Sequence, residues 1–113
     1  VAPELVEEVG RLVRLTITHD PAPGDRNGEV LSDADLSALA LPRERYRDNS
    51  VDIMAEYGHV PVEVFRASRV RVLLALLDGP GVFRTERGRM RWEAPARENL
   101  RAELADLRGQ RAD

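Results

Sequence analysis

The chain has 113 residues, a net charge of −3 at neutral pH and no cysteine. This length fits one domain, the lack of cysteine excludes disulfides and thiolate metal sites, and the negative charge argues against a general nucleic-acid binder. No apolar run approaches the about 20 residues of a membrane-spanning helix, so we expect no membrane partner. The lack of cysteine suits a reducing compartment, so we expect a cytoplasmic protein. All 17 basic residues are arginines, which indicates codon bias or, alternatively, selection for bidentate anion contacts.

The first third of the chain predicts two helices separated by a loop. Apolar side chains recur at helical spacing over residues 1–18, which indicates an amphipathic helix. Turn-forming residues predict a loop over residues 20–29. Ser32 is typical of an N-cap and predicts a short helix over residues 33–40, which Pro42 ends.

The remainder of the chain predicts three further helices, over residues 43–57, 61–78 and 92–107. Glycine and proline at residues 79–81 end the second of these, and residues 82–91 are interpreted as an irregular connector. No alternating apolar pattern of useful length predicts a strand. The predicted fold class is therefore all-α, with about five helices.

The pattern predicts one helical domain over residues 1–108 and a frayed tail over residues 109–113. The chain does not begin with methionine, so we expect a processed, trimmed or excised piece of a longer protein.

Four residues could carry chemistry. His19 ends the first helix, where the helix dipole favours an imidazolium, and it could instead contact a metal or a phosphate. Asp33 and Asp35 lie in a predicted first helical turn, which carboxylates stabilise by roughly 0.3–1 kcal/mol. Asp35 also borders an apolar stripe, where a carboxylate needs a partner such as a metal ion or an arginine. Arg69 either extends to solvent from the edge of a core face or reaches inward to a phosphate or to Asp35.

The other polar groups predict structural roles. Four arginines of the connector lie between Phe83 and Trp92 and resemble a nucleic-acid patch, but the acidic total favours a solvated connector. These arginines are Arg84, Arg87, Arg89 and Arg91. His59 is interpreted as a junction residue before the fourth helix. The chain has no glycine-rich phosphate loop, and its two histidines are too far apart for a His-Glu-x-x-His pair.

Taken together, several segments resemble a known family. They are TITHDP (16–21), VLSDADLSAL (30–39), ERY (44–46), EYGHVP (56–61), FRASR (65–69), VFRT (82–85) and WEAPARENL (92–100). In this order and spacing they are similar to the C-terminal half of the bacterial family of predicted metal-dependent HD-superfamily phosphohydrolases. The likeness covers nearly the whole chain.

The resemblance implies a chemistry and a partial site. Such enzymes hold a divalent metal with a histidine, an adjacent His-Asp pair and a later aspartate, and they hydrolyse a phosphate ester or anhydride of a phosphorylated small molecule or nucleotide. The resemblance implies Asp35 as the metal ligand, with Asp33 as the alternative. It implies His19 and Arg69 as phosphate contacts or as residues that support the ligand. The segment at Thr18-His19 resembles a later Thr-x-His-His stretch with one histidine missing, and Ser68-Arg69 stands where the family often has Gly-Arg.

The histidine and the His-Asp pair match nothing in this chain, so no complete catalytic set is present. Because a metal that activates water needs several protein ligands, we expect that this chain alone holds no metal tightly and is not a competent hydrolase. The expected architecture is an HD-like helical bundle that lacks its N-terminal helices. The alternative is a non-enzymatic helical module that forms a homo-oligomer through an exposed apolar surface. A third reading, an arginine-mediated nucleic-acid binder, would need salt-dependent binding despite the acidic charge.

Overall fold

The structure, a computed structural model, describes residues 2–109 and contains no strand in that range. Five α-helices, labelled α1 to α5, follow one another along the chain: Pro3–Thr18, Arg26–Leu36, Arg43–Glu56, Val62–Asp78 and Glu86–Gly109. A short 3-10 turn, Ser37–Ala40, links α2 to α3. The predicted all-α class with about five helices is therefore confirmed, and the HD-like arrangement of those helices stays a prediction.

Two expectations concern the end of the chain and the membrane. Gly109 is the last residue of α5, and the rest of the predicted frayed tail lies outside the described residues. No helix within residues 2–109 is long and apolar enough to cross a membrane.

The second helix begins earlier than the sequence pattern predicts. Asp25 is its N-cap, and the Asp25 carboxylate accepts a hydrogen bond from the backbone N–H of Gly28 at 3.1 Å. A Cβ atom at position 28 would collide with the Asp25 carboxylate and with the side chain of Leu15, so any other residue there would have to displace the capping side chain. The predicted N-cap, Ser32, instead lies buried inside α2. The prediction was wrong because an aspartate N-cap turns a stretch rich in loop residues into the first turn of a helix.

The last helix also begins earlier, at Glu86 rather than at Trp92, so only residues 82–85 of the predicted connector are irregular. The hydroxyl of Thr85 accepts a hydrogen bond from the backbone N–H of Gly88 at 2.9 Å, as an N-cap residue does. Pro95 lies inside the helix. The helix start is therefore stabilised by capping, which the apolar spacing from Trp92 onward does not reveal.

The apolar core lies between α4, α5 and the segment that joins them. Its buried members are Leu73, Val82, Phe83, Ala96, Leu100 and Leu107. The rings of Phe83 and Trp92 pack in a tilted arrangement, with 5.5 Å between their centroids. Side chains of α2 and of the 3-10 turn, including Leu36 and Leu39, close the core from the other side.

Two charged residues of α5 hold the segment between α4 and α5. The Glu93 carboxylate accepts hydrogen bonds from the backbone N–H groups of Val82 and Phe83 at 2.9–3.1 Å, and Arg97 donates to Glu93 and to the carbonyl of Leu77. Burial by itself would raise the pKa of Glu93, but these donors outweigh it and lower the pKa. The segment therefore depends on a carboxylate that stays ionised.

By contrast, α1 lies at the edge of the molecule, and none of its residues is buried. It packs chiefly on α2, through the Arg11 guanidinium, which donates to Glu8 and to Asp25. These hydrogen bonds lower the pKa of both carboxyl groups. The molecule extends 56 × 34 × 23 Å, and its radius of gyration of 15.9 Å exceeds the about 13 Å of a compact domain of this length.

Candidate functional site

The structure brings two of the four candidate residues together. The imidazole Nε2 of His19 lies 2.5 Å from Oδ2 of Asp35, although 16 positions separate them in the chain. The side chain of His19 is 24% exposed and that of Asp35 is 46% exposed. The pair is therefore open to solvent on one side, and a ligand could reach it.

His19 owes its position to the way α1 ends. It is the C-cap of α1, with φ 53° and ψ 37° in the left-handed region, the only positive φ of a non-glycine residue within residues 2–109. Its backbone N–H donates to the carbonyl of Leu15 at 2.8 Å, as left-handed C-caps do. This turn directs the imidazole toward α2.

Asp35 lies in the last turn of α2, because that helix starts at Arg26. The expectation of a carboxylate in a first helical turn is therefore wrong for both Asp33 and Asp35. At a helix C-terminus the dipole is negative and disfavours a carboxylate. α2 continues without a break into the 3-10 turn Ser37–Ala40, so the free helix end beside Asp35 is that of α1, which ends at His19.

Asp33 has a different environment from Asp35. It is only 3% exposed, and its carboxylate accepts hydrogen bonds from the backbone N–H groups of Arg84 and Thr85 at 2.7 and 2.9 Å and from the Thr85 hydroxyl at 2.5 Å. A Cβ atom at Gly88 would collide with this carboxylate. Asp33 thus joins α2 to the start of α5, and its oxygens are already occupied by donors.

Arg84 adds a contact that the sequence did not predict. Its guanidinium Nη2 donates to the backbone carbonyl of His19 at 3.4 Å and lies 3.5 Å from the Asp20 carboxylate. Its Nε is buried without a hydrogen-bond partner. The interpretation of Arg84 as part of a solvated connector is therefore wrong, because its backbone holds Asp33 and its side chain holds the end of α1.

Arg69 lies elsewhere, against α5. Its Nε and Nη2 donate to the two carboxylate oxygens of Glu103 at 2.7 and 2.9 Å, and the hydroxyl of Tyr46 donates to the same carboxylate. The hydrogen bonds to Glu103 raise the pKa of Arg69, and burial raises the pKa of Tyr46. The inward-reaching alternative for Arg69 is therefore what the structure shows, but its partner is Glu103 and not Asp35.

Two open cavities flank this cluster. One of about 480 Å³ lies between α3 and α5, with Tyr46, Met54 and Phe65 among its lining residues. The other, of about 310 Å³, lies beside Arg69 and Val72. Because Glu103 is already paired with Arg69 and Tyr46, the charged groups here serve to satisfy one another. Tyr46 lies in the ERY segment that the resemblance includes, but the sequence assigned no role to Tyr46 or to Glu103, because their partners are more than 30 positions away.

The carboxylate of Asp35 and the imidazole of His19 are both ligand types for divalent metals, so the pair fits part of a metal site. No group of three or more histidine, aspartate or glutamate side chains that could hold a metal ion occurs in the described part of the chain.

Comparisons with known proteins add no relative. A scan against protein-family models, a search of curated proteins and a search of solved structures each found no match to this chain. The HD-family resemblance therefore stays a prediction.

Proposed function

We propose that this chain is the C-terminal helical portion of an HD-type metal-dependent phosphohydrolase, and that Asp35 is its metal ligand. The observation that carries the proposal is the exposed His19–Asp35 pair beside the C-terminus of α1. The resemblance supplies the enzyme class, and the geometry supports the choice of residue.

Electrostatics supports Asp35 as the ligand. A carboxylate beside the negative end of α1 is destabilised unless a cation lies next to it. The His19 imidazole provides that cation only when protonated, and a divalent metal would provide it at any pH at which the carboxylate is ionised. Asp33, the alternative, has its carboxylate oxygens occupied by three donors. Asp35 is therefore the better placed of the two aspartates.

Each residue has a stated task in this proposal. Asp35 contributes one carboxylate, His19 orients it, and Arg84 holds the backbone of His19 in place. The metal, when bound, would polarise a phosphate and lower the pKa of a water molecule. The histidine and His-Asp ligands come from outside residues 1–113, so this chain alone does not turn over a phosphorylated small molecule or nucleotide. Arg69 supports the fold through Glu103 rather than contacting phosphate.

The test compares the two histidines of the chain. Mn²⁺ is titrated while the imidazole proton signals of His19 and His59 are followed by NMR. His59 is exposed and stacks on Tyr57, so it serves as an internal control. We expect Mn²⁺ to broaden the His19 signals at concentrations that leave His59 sharp, because paramagnetic broadening acts only near the ion.

Two matched variants complete this experiment. Asp35→Asn removes the proposed ligand and should abolish the preference for His19. Asp52→Asn makes the same change of charge at an exposed position of α3 and should leave the preference intact. Equal broadening of both histidines, or a His19 preference that survives Asp35→Asn, would contradict the proposal.

A further inference from the structure

The cavity of about 480 Å³ between α3 and α5 has the size and the lining of a small-molecule site. Ligand cavities typically measure about 300–1,000 Å³, with mostly apolar walls and a few well-placed polar groups. Apolar side chains of α3 and α4 line this cavity, among them Val51, Met54 and Phe65. Two arginines of α3, Arg43 and Arg47, line it as well. The cavity therefore combines apolar walls with two cations.

A buried amide holds Arg43 in position. Asn99 is only 4% exposed, and its side-chain NH₂ donates to the backbone carbonyls of Leu39 and Leu41 at 2.9 and 2.7 Å. Because a carbonyl can only accept, these bonds fix the orientation of the amide, whose Oδ1 accepts from Nε of Arg43 at 3.2 Å. The two Nη groups of Arg43 have no hydrogen-bond partner within residues 2–109. The guanidinium is therefore positioned in advance and keeps donors for a ligand.

Arg47 adds a second cation one turn further along α3. Four positions separate it from Arg43, so the two side chains lie on the same face of the helix. Arg47 is exposed and has no ion pair or hydrogen bond through its side chain within residues 2–109. Since α3 begins at Arg43, the positive end of the helix dipole lies at the same end of the cavity. This end of the cavity therefore favours an anion.

Two carboxylates also line the cavity, and neither cancels this preference. Glu103 accepts hydrogen bonds from Nε and Nη2 of Arg69, so its charge is compensated. Asp106 follows Asn99 by seven positions on α5, which is about 10 Å along the helix axis, so it lies two turns beyond the residue that holds Arg43. The carboxylates therefore favour a ligand with a single negative charge at the arginines and an uncharged remainder.

We propose that this cavity binds a small carboxylate with an apolar chain. The carboxylate accepts hydrogen bonds from Arg43, as carboxylates do from planar guanidinium groups, and it lies near Arg47. The chain lies against Val51, Met54 and Phe65. Arg43 and Met54 are eleven positions apart on α3, about 16 Å along the helix axis, which leaves room for several methylene groups.

The first experiment titrates the protein with octanoate, below the concentration at which it forms micelles, and follows the backbone amides by NMR. Three other probes separate the parts of the ligand: octylammonium reverses the charge, 1-octanol removes it, and acetate lacks the chain. We expect octanoate to shift the amides around the cavity, and each other probe to bind about tenfold more weakly or worse, because it loses a charge-assisted hydrogen bond or the apolar contact. Octylammonium or 1-octanol binding as tightly as octanoate overturns the proposal, as does a set of shifts that excludes the cavity.

The second experiment replaces arginines of α3 one at a time. Arg43→Met keeps an unbranched side chain but removes the donors, so it should weaken octanoate binding by about tenfold. Arg47→Met should weaken it by about two- to fivefold, because a nearby exposed charge contributes less, and this change breaks no side-chain hydrogen bond or ion pair within residues 2–109. Arg45→Met is the matched control, since Arg45 is exposed on α3 and does not line the cavity. Equal effects of the three changes on binding overturn the proposal.

The third experiment tests the apolar end of the cavity with two valines of matched exposure. Val51 is 65% exposed and lines the cavity, whereas Val62 on α4 is 62% exposed and does not. Val51→Asp should weaken octanoate binding by about fivefold or more, because it places a charge against the apolar chain. Val62→Asp should leave binding unchanged. Octanoate binding that ignores Val51→Asp overturns the placement of the chain.

A second copy of this protein is the competing occupant of the cavity. Sedimentation velocity without octanoate should show a monomer or an association that Arg43→Met leaves unchanged, and a dimer that Arg43→Met breaks would overturn the small-molecule site. The cavity shares no lining residue with the His19–Asp35 pair, so Asp35→Asn should leave octanoate binding unchanged. Failure of the metal proposal would therefore leave this proposal intact, and the reverse also holds.

Discussion

The α4–α5 region and the α1–α2 region are held together by different kinds of interaction. Between α4 and α5 the contacts are buried apolar side chains, with Leu73 and Leu100 fully enclosed. Between α1 and α2 they are the ion pair of Arg11 with Asp25, the contact of His19 with Asp35, and the half-buried Leu15 beside Gly28. Since exposed ion pairs contribute about 0–1 kcal/mol each, most of the stability of the fold comes from the α4–α5 region.

The two regions also differ in whether their polar side chains are paired within the fold or exposed to a possible ligand. In the well-packed region, Glu103, Arg69 and Tyr46 satisfy one another. The poorly covered region carries the exposed Asp35 and, on α1, exposed apolar side chains such as Leu5, Val9 and Val13. A region that contributes little to stability is free to present side chains to a metal or to a partner.

The largest expected effect is a difference in stability between alanine variants of two leucines. Leu100→Ala should lower the free energy of unfolding by about 2–5 kcal/mol, because it leaves a cavity in the core. Leu5→Ala, at a side chain that is 56% exposed, should change it by less than about 0.5 kcal/mol. Urea denaturation of both variants measures this, and equal losses would mean that α1 is part of the stabilising core.

An intermediate effect compares the two neighbouring aspartates. Asp33→Asn should destabilise the protein by about 1.5–3 kcal/mol, because it removes a charged acceptor from the donors of Arg84 and Thr85. Asp35→Asn should change the free energy of unfolding by less than about 1 kcal/mol, because it alters only a partly exposed contact with His19. Urea denaturation at neutral pH distinguishes them. A greater loss of stability for Asp35→Asn than for Asp33→Asn would show that Asp35, and not Asp33, is the aspartate that holds the fold together.

Some of this arrangement was predictable from the sequence. The apolar spacing in α1 and α4 and the glycines and prolines between helices predict the all-α class, because these signals are local. The starts of α2 and α5 were placed too late, since each depends on a capping side chain, Asp25 or Thr85, within a stretch that is typical of loops. The contact of Asp33 with Thr85 adds a partner 52 positions away, which no local pattern encodes.

The candidate site, like the fold, was predicted only in part from the sequence. Asp35 was singled out by resemblance, and its contact with His19 depends on how α1 turns at its C-cap, which spacing alone does not give. Arg69 was expected near a core face and is found there, but its partner Glu103 was not identified. Arg84 was missed because a charged connector residue usually faces solvent.

The most direct test of the contrast between the two regions is native-state amide hydrogen exchange, resolved by residue. At low protein concentration, the amides of α1 should exchange through local opening at a much lower free energy than those of α5 around Leu100, because local openings follow the number of buried contacts. Equal protection of α1 and α5 in the dilute monomer would contradict this account.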